Sequence, residues 1–187
     1  METIKLIQNN KIVKNVLVVF LGTVFLTVSA KVKIPFYPVP MTMQTFVVIF
    51  LGMCFGYKLG LATVALYLFE GILGIPVFSN SPEKGVGMIY FTGPTMGYLL
   101  GFIIAVYAAG KFNFSKNYLL NFIKIVLSVL PIYVFGLIWL GILIGWDKPI
   151  FELGAKPFLL AELFKILLLV IISTKIDFFK GLSRRSF

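Results

Sequence analysis

Residues 118–145 read YLLNFIKIVLSVLPIYVFGLIWLGILIG, an apolar run that contains a single charged residue, Lys124. The run is longer than the roughly 20 residues that an untilted membrane-spanning helix needs. Pro131 lies in its middle, so we expect a tilted or kinked helix that spans a lipid bilayer. The whole chain supports this interpretation, because 59% of its 187 residues are hydrophobic and only 13% are charged. A soluble domain is about half apolar and a quarter charged.

Five further apolar runs complete a set of six predicted membrane spans. Together they predict an all-α integral membrane protein with six transmembrane helices in a single membrane domain, residues 1–187. The second run is short for a full crossing. The sequence does not show the alternation of apolar and polar residues that is typical of strands in outer-membrane barrels, so the helical interpretation has no competitor of that kind. In chain order, the predicted spans cover residues 15–30, 45–55, 59–78, 93–110, 118–145 and 158–174.

The distribution of Lys and Arg predicts the orientation of these spans. Six spans place both termini on one side of the membrane, and the side richer in Lys and Arg is the cytoplasmic side. We therefore expect cytoplasmic N- and C-termini in a multi-pass protein of the cell (cytoplasmic) membrane, with loops 31–44, 79–92 and 146–157 facing outward. The terminal side carries ten such residues, Lys5, Lys11, Lys14, Lys58, Lys111, Lys116, Lys175, Lys180, Arg184 and Arg185, against five on the other side, Lys31, Lys33, Lys84, Lys148 and Lys156.

The N-terminal run also has features of a cleavable signal peptide. Basic residues precede it, and Val28-Ser29-Ala30 resembles a cleavage site. Cleavage would leave five spans and a less clear difference in charge between the two sides. We favour the interpretation in which residues 15–30 are retained as an uncleaved first span.

The composition excludes several kinds of function. The chain has no histidine, which removes imidazole-based catalysis and imidazole metal ligands. Cys54 is the single cysteine, and no G-x-x-x-x-G-K-S/T loop for ATP phosphates occurs. The net charge of +10 comes from cations scattered between apolar runs, which argues against nucleic acid as a partner. We expect no catalytic residues, no metal site and no cofactor.

Glycines recur at four-residue spacing in two regions of the predicted spans. On a helix this spacing places them on one face, where the backbone of a neighbouring helix approaches closely. We expect a packing role for both stripes, and a helix start at Gly93-Pro94. The two stripes are Gly52, Gly56 and Gly60, and Gly93, Gly97 and Gly101.

The first outward loop, residues 34–44, is stiff and apolar. Pro35, Pro38 and Pro40 prevent it from continuing as a helix. An aromatic, nearly uncharged loop is poorly suited to extend into water. We favour a lid that folds back over a cavity between the helices. The alternative is a plain connector that rests at the boundary of the lipid headgroups.

Ionisable side chains inside spans are costly in lipid unless they are paired or face a cavity. Glu162 and Lys165 lie three residues apart in the first turns of the sixth span, so they share one helix face near the outer side. They form either a mutually neutralising surface pair or a polar floor for a ligand, in which Glu162 accepts from N–H groups and Lys165 donates to a carbonyl or carboxylate. Glu70 in the third span either pairs with a cation from another helix or faces the same cavity.

Three motif blocks occur in order along the chain. They are Ile34-Pro35 with Pro38-Val39-Pro40-Met41-Thr42-Met43-Gln44-Thr45-Phe46, then Tyr67-Leu68 with Gly74-Ile75-Pro76-Val77-Phe78, and finally Gly93-Pro94-Thr95-Met96-Gly97-Tyr98-Leu99-Leu100-Gly101-Phe102. In the order and spacing of these blocks, about residues 20–175 of the chain resemble the BioY family. The members of this family are the biotin-specific substrate-binding (S) components of energy-coupling-factor (ECF) vitamin importers.

The resemblance implies a bundle of six helices with a short second helix, and a first loop that closes over biotin near the outer face. It implies biotin uptake as the function. The family's acid followed three positions later by Lys corresponds to Glu162 and Lys165, with Glu where Asp is common, and its Asn after P-V-F corresponds to Asn80. The matching blocks add further residues implied to bind biotin, which are Gln44, Tyr37, Tyr67, Tyr98 and Phe102.

One binding residue of the family has no counterpart here. An Arg often precedes G-P-T in the family, whereas residues 89–92 of this chain read IYFT. A different group must therefore hold the biotin carboxylate, and Lys84 and Tyr90 are the candidates. Glu70 is a further candidate for the site, either in the cavity or paired elsewhere.

The resemblance also implies partners: a transmembrane coupling protein and two ATPase subunits, with membrane lipid around the bundle. The family docks on the coupling protein through small residues of the first helix, and Gly22, Thr23 and Thr27 are the nearest equivalents. An S component for a different vitamin is one alternative. A small membrane-embedded enzyme or a non-transport membrane scaffold is the other, but scattered carboxylates without a nucleophile–base pair argue against an enzyme.

Overall fold

The computed structural model describes residues 11–176, which form a helical bundle with one small hairpin. By length and composition, three of its helices are long and apolar enough to cross a membrane, namely the first, second and fourth, and the third is a shorter apolar helix. Two 3₁₀ helices, Gly87–Thr92 and Lys156–Phe158, lie in the connections. The six α-helices in this part of the chain are α1 (Lys11–Lys31), α2 (Gln44–Ile72), α3 (Met96–Lys111), α4 (Tyr118–Ile144), α5 (Ile150–Gly154) and α6 (Leu159–Ser173).

Helix α2 joins the second and third predicted spans into one helix with a break at Gly56. Gly56 has φ 75° and ψ 174°, a conformation that glycine adopts far more readily than residues with a Cβ. The helix then ends at Ile72, so the predicted end at residue 78 is wrong. Gly74, with φ 91°, and Pro76 follow closely, and neither fits a continuing helix.

A two-stranded antiparallel hairpin occupies the first predicted outward loop. Its strands are β1 (Lys33–Ile34) and β2 (Met41–Thr42), with Lys33 opposite Thr42. The prediction of a purely helical protein missed this hairpin, because strands of two residues are too short to show alternation. The second strand leads directly into the first turn of α2.

Glycines allow α3 to pack closely against both α2 and α4. A Cβ at Gly52 would lie 2.6 Å from the carbonyl oxygen of Val106, and a Cβ at Gly97 would lie 2.3 Å from that of Phe135. The expected packing role is therefore confirmed at Gly52 and Gly97. Gly56 differs, because a Cβ there would meet nothing within 4 Å. Its function is to permit the break in α2.

Two helix boundaries bear on the pocket described below. Helix α3 begins at Met96, so the predicted start at Gly93-Pro94 is two to three residues too early. Helix α4 continues through Pro131 as one helix. The short helix α5 and the 3₁₀ helices lie in connections for which no helix was predicted, because their apolar stretches are too short to show a period.

Helix α1 packs on α2 through small residues that were expected to face a coupling protein. A Cβ at Gly22 would lie 2.6 Å from Thr63 Cγ2, and the Thr23 hydroxyl donates to Glu70 Oε1 at 3.0 Å. Gly22 and Thr23 are buried within the chain, which argues against docking of a coupling protein through these two residues. Thr27 donates to the Thr23 carbonyl oxygen inside its own helix.

Large apolar side chains cover the outside of the bundle. Phe20 on α1, Leu130 on α4 and Phe164 on α6 are each more than half exposed. On α4, by contrast, the polar residues Asn121 and Ser128 are completely buried. An apolar exterior around buried polar groups is the distribution expected of a protein surrounded by lipid.

Candidate functional site

One pocket is formed by the hairpin, by the connection between α2 and α3, and by helices α2, α3, α4 and α6. It contains about 550 Å³ of empty space, part of which is open to solvent. Two of the three loops predicted to face outward contribute to it. The walls are apolar and aromatic, formed by Val39, Pro40, Met41, Phe78, Tyr90, Tyr98, Leu99, Phe102, Ile132, Tyr133 and Phe158, with polar groups from Thr42, Gln44, Thr45, Ser79, Thr95, Glu162 and Lys165.

Glu162 and Lys165 form a buried ion pair in the wall of this pocket. Lys165 Nζ lies 3.0 Å from Glu162 Oε2, and each residue is only 5% exposed. Because the two residues are three apart on α6, they share one helix face. Of the two alternatives considered for them, a surface pair is excluded by this burial. A buried pair is costly unless additional hydrogen bonds satisfy its charges.

Three acceptors surround the Lys165 ammonium group. Besides Glu162, it donates to the carbonyl oxygen of Thr42 at 2.8 Å and to Thr45 Oγ1 at 3.0 Å. An ammonium group has three protons, so all of them are used within the chain. Lys165 therefore connects α6 to the end of the hairpin and to the first turn of α2. It positions these elements as well as lining the pocket.

Three donors converge on a single carboxylate oxygen of Glu162. Oε2 accepts from Lys165 Nζ, from Thr45 Oγ1 at 3.0 Å and from Tyr133 OH at 3.1 Å. No donor within residues 11–176 reaches the other oxygen, Oε1. A charged oxygen in a pocket wall is thus left to accept a hydrogen bond from a ligand.

Gln44 lines the pocket and is held by Tyr67 behind it. Gln44 Nε2 donates to Tyr67 OH at 2.8 Å, and Tyr67 OH donates to the carbonyl oxygen of Val77 at 3.0 Å. Gln44 Oε1 accepts from the Thr42 hydroxyl at 3.2 Å. Tyr67 is completely buried and does not line the pocket. Its role in this arrangement is to orient Gln44 and to fix the backbone at Val77.

Aromatic rings form the apolar walls, and fixed partners hold their hydroxyl groups. Tyr98 OH donates to the carbonyl oxygen of Gly154 at 2.7 Å, which joins α3 to α5. The Tyr90 ring stacks on Phe78 with 4.6 Å between centroids. Tyr90 OH lies 3.2 Å from Ser79 Oγ, and both residues are buried. Three of these side chains, Tyr98, Tyr90 and Phe78, belong to or adjoin the motif blocks of the sequence.

Besides Tyr67, four predicted site residues do not line the pocket. Asn80 Oδ1 accepts a hydrogen bond from Lys33 Nζ at 3.1 Å, and Ser79 rather than Asn80 lines the wall. Tyr37 is 85% exposed, and Lys84 Nζ lies 5.8 Å from the centroid of its ring. Glu70 belongs to the contact between α1 and α2 described above. Tertiary packing thus directs these four side chains away from the pocket wall, and their predicted contact with biotin stays a prediction.

Several pocket residues were not singled out from the sequence. Thr42 and Thr45 stand inside the first motif block, so the block itself was a signal for them. Ser79 adjoins the second block. Tyr133 had no comparable signal, because it is one aromatic residue among many in the long apolar run that became α4.

Comparison with known proteins agrees with the three motif blocks. A model of the BioY family matches residues 2–180. The chain belongs to the BioY family. The probable biotin transporter BioY of Pyrococcus horikoshii is 35% identical over 164 residues, which are 88% of this chain and 96% of that protein. The biotin transporter BioY of Thermotoga maritima is 32% identical over 155 residues, which are 82% of this chain and 90% of that protein.

The fold of this chain is also present in a solved structure. The crystal structure of the S-component for biotin from an ECF-type ABC transporter matches with a TM-score of 0.74 at 24% sequence identity. The match covers 90% of this chain and 93% of that chain. The chain therefore has the S-component fold. As a BioY protein it is a multi-pass membrane protein of a transporter family, and not an enzyme.

Proposed function

We propose that this protein captures biotin at the outer face of the cytoplasmic membrane and is the substrate-binding subunit for its uptake. One observation carries the proposal: in a chain of the BioY family, a buried carboxylate presents an unused oxygen, Glu162 Oε1, to an aromatic pocket. Oε1 is accessible in the open pocket, and a ligand that fills the pocket would bury it. An unpaired buried acceptor costs about 1–3 kcal/mol, so the pocket favours a ligand that donates to this oxygen.

The chemistry of biotin fits the groups in the pocket. Biotin has two ureido N–H donors, a polarised carbonyl group, an apolar thioether ring and an anionic tail. A ureido N–H can donate to Glu162 Oε1, and Gln44 lies in the same wall. The rings of Phe78, Tyr98 and Phe102 offer apolar surface for the thioether ring.

The hairpin is proposed to be the lid of the site. Its residues 39–42 form part of the pocket wall, and the backbone of Thr42 is held by Lys165 on α6. Release of this contact would open the pocket on the side of the first loop. With cytoplasmic termini, as the excess of Lys and Arg predicts, that side faces outward. The plain-connector alternative would leave ligand exchange unaffected by the Lys165–Thr42 contact.

Energy for uptake is proposed to come from partner subunits. The chain has no phosphate-binding loop for ATP. The structural relative is described as a component of an ECF-type ABC transporter. We propose a transmembrane coupling protein and two ATPase subunits as partners. Docking must use a surface other than Gly22 and Thr23, because both are buried against α2.

A binding assay on the purified intact protein tests the substrate. Isothermal titration in detergent with biotin, desthiobiotin, thiamine and riboflavin is expected to show tight binding of biotin and none of thiamine or riboflavin. Desthiobiotin keeps the ureido group but lacks the thioether ring, so it is expected to bind more weakly. Absence of biotin binding would overturn the proposal, and binding of another vitamin in its place would establish the alternative S component.

A further inference from the structure

Two lysines converge on the short segment 78–81, directly behind the pocket wall. Lys31 Nζ donates to the carbonyl oxygens of Phe78 at 2.8 Å and Ser81 at 2.7 Å. Lys33 Nζ donates to the carbonyl oxygen of Ser79 at 2.8 Å and to Asn80 Oδ1 at 3.1 Å. All four acceptors are neutral. Two positive charges are therefore gathered on one segment of the chain without a carboxylate among these partners.

The surplus of positive charge at this wall is not cancelled by an ion pair. Within residues 11–176, the ion pairs closer than 4.0 Å are Lys148–Asp147, Lys156–Glu152 and Lys165–Glu162, and neither Lys31 nor Lys33 belongs to them. Glu83 is near enough to attract the Lys31 charge, but the two residues form no ion pair within 4.0 Å. The charged residues in the pocket lining itself, Glu162 and Lys165, neutralise each other.

Two residues with hydroxyl groups, Ser79 and Tyr90, line the pocket at the same wall. Ser79 Oγ and Tyr90 OH lie 3.2 Å apart, both residues are 4% exposed, and both line the pocket. One of these hydroxyls donates to the other, so the proton of the second is left to donate to a ligand. A hydroxyl donor backed by nearby positive charge favours an anionic acceptor.

We propose that the Ser79–Tyr90 hydroxyl pair, with Lys31 and Lys33 behind it, is the subsite for the carboxylate of the ligand tail. The inference rests on the proposed biotin-binding function and adds an orientation to it: the ureido ring at Glu162 and the anionic tail at segment 78–81. Lys31 and Lys33 act through the field of their charges and do not touch the ligand. They are positioning residues that select for an anion.

A pair of ligands that differ only in tail charge tests this orientation. Biotin is compared with biotinamide, whose tail is neutral, by titration of the wild-type protein, Lys33→Gln and the double variant Lys31→Gln/Lys33→Gln. Gln keeps an N–H donor for the carbonyl oxygens of segment 78–81. The wild-type protein is expected to prefer biotin by about tenfold or more, since each charge acts at short range in a partly buried site. The preference is expected to fall stepwise in the two variants while the Kd for biotinamide stays within about threefold.

A matched control separates the effect of these two lysines from that of positive charge in general. Lys148→Gln removes a lysine whose side chain is 57% exposed in a different connection, and it is expected to leave the ligand preference unchanged. An unchanged preference in the double variant would overturn the inference, as would an equal loss of affinity for both ligands, which would show that the lysines only hold the segment. If biotin does not bind to the wild-type protein, the proposed function itself is overturned.

Discussion

Lys165 donates to Glu162 at 3.0 Å from one turn further along the same helix, and both side chains are buried in the pocket wall. The same ammonium group reaches the backbone of Thr42 at the end of the hairpin. The charge of the site and the position of the hairpin therefore depend on one side chain. This dependence leads to the first prediction.

Substitution Lys165→Ala is expected to weaken biotin binding by about tenfold or more. It removes a donor to Glu162 and the contact to the hairpin, and it leaves a buried carboxylate with two neutral donors. Breaking a buried pair in this way costs about 3–5 kcal/mol of stability. Titration calorimetry in detergent measures the Kd, and thermal unfolding of the same samples measures the loss of stability.

Lys156→Ala is the matched control for this variant. Lys156 also pairs with a Glu in a neighbouring turn, at 3.0 Å from Glu152, but its side chain is 63% exposed. An exposed pair contributes about 0–1 kcal/mol, so neither affinity nor stability is expected to change measurably. An unchanged Kd in Lys165→Ala would remove Lys165 from the site.

Tyr133→Phe is expected to destabilise the protein without removing the aromatic ring from the pocket. The hydroxyl group donates to Glu162 Oε2 at 3.1 Å, and a hydrogen bond to a charged group contributes about 1.5–3 kcal/mol. Thermal unfolding is the measurement. Tyr118→Phe, at a residue that is 59% exposed on the same helix, is expected to leave the unfolding temperature unchanged. Equal unfolding temperatures for Tyr133→Phe and wild type would contradict the assigned contact.

Tyr67→Phe is expected to act on the pocket through Gln44. It leaves the Gln44 amide and the Val77 carbonyl oxygen without their buried partner, which costs about 1–3 kcal/mol for each group. Biotin affinity is therefore expected to fall although Tyr67 does not line the pocket. A double-mutant cycle with Gln44→Leu measures the coupling, which is expected to be about 0.5–3 kcal/mol. Strictly additive effects would show that the two residues act independently.

Gly97→Ala is expected to separate α3 from α4. The added methyl group would lie 2.3 Å from the carbonyl oxygen of Phe135 and 2.4 Å from Trp139 Cβ. Overpacking of this kind typically costs about 1–3 kcal/mol, and backbone atoms cannot move aside as a side chain does. Ile104→Ala, at an exposed residue of the same helix, is the control. A Gly97→Ala protein as stable as wild type would contradict the close contact.

Helices with long apolar patterns could be predicted from the sequence. The run from Tyr118 continued as one helix, and the spacing of Glu162 and Lys165 placed both on one face, because these features depend on local periodicity. The break at Gly56 could not be predicted, since a glycine in an apolar run is equally compatible with close packing, as at Gly97. The hairpin was missed because strands of two residues are too short to show an alternating pattern.

Most of the predicted site residues that line the pocket lie on helices, although Tyr67 and Glu70 on α2 do not line it. Gln44, Tyr98 and Phe102 line it, together with Tyr90 from a 3₁₀ helix. Tyr37, Asn80 and Lys84 do not, because the direction of a loop side chain depends on the path of the loop across the bundle. Tyr133 is the opposite case, because it lines the pocket but was not predicted to do so. Its hydroxyl group donates to Glu162 on α6, which is distant in sequence.

The contact between Lys165 and the Thr42 carbonyl oxygen couples two properties of this protein, its affinity for the ligand and the lifetime of the complex. With the hairpin as the proposed lid, a substitution at residue 165 that changes the affinity for biotin is expected to change also how long the hairpin stays closed. The affinity and the lifetime of the complex could then not be changed separately at this residue. Phe36 is a separate residue at which the stability of the closed hairpin could be changed. Its ring meets that of Phe158 edge to face with 5.7 Å between centroids, and Phe36 itself does not line the pocket. With the hairpin as the proposed lid, smaller side chains at residue 36 are expected to shorten the lifetime of the biotin complex and to leave the groups that contact the ureido ring of biotin in place.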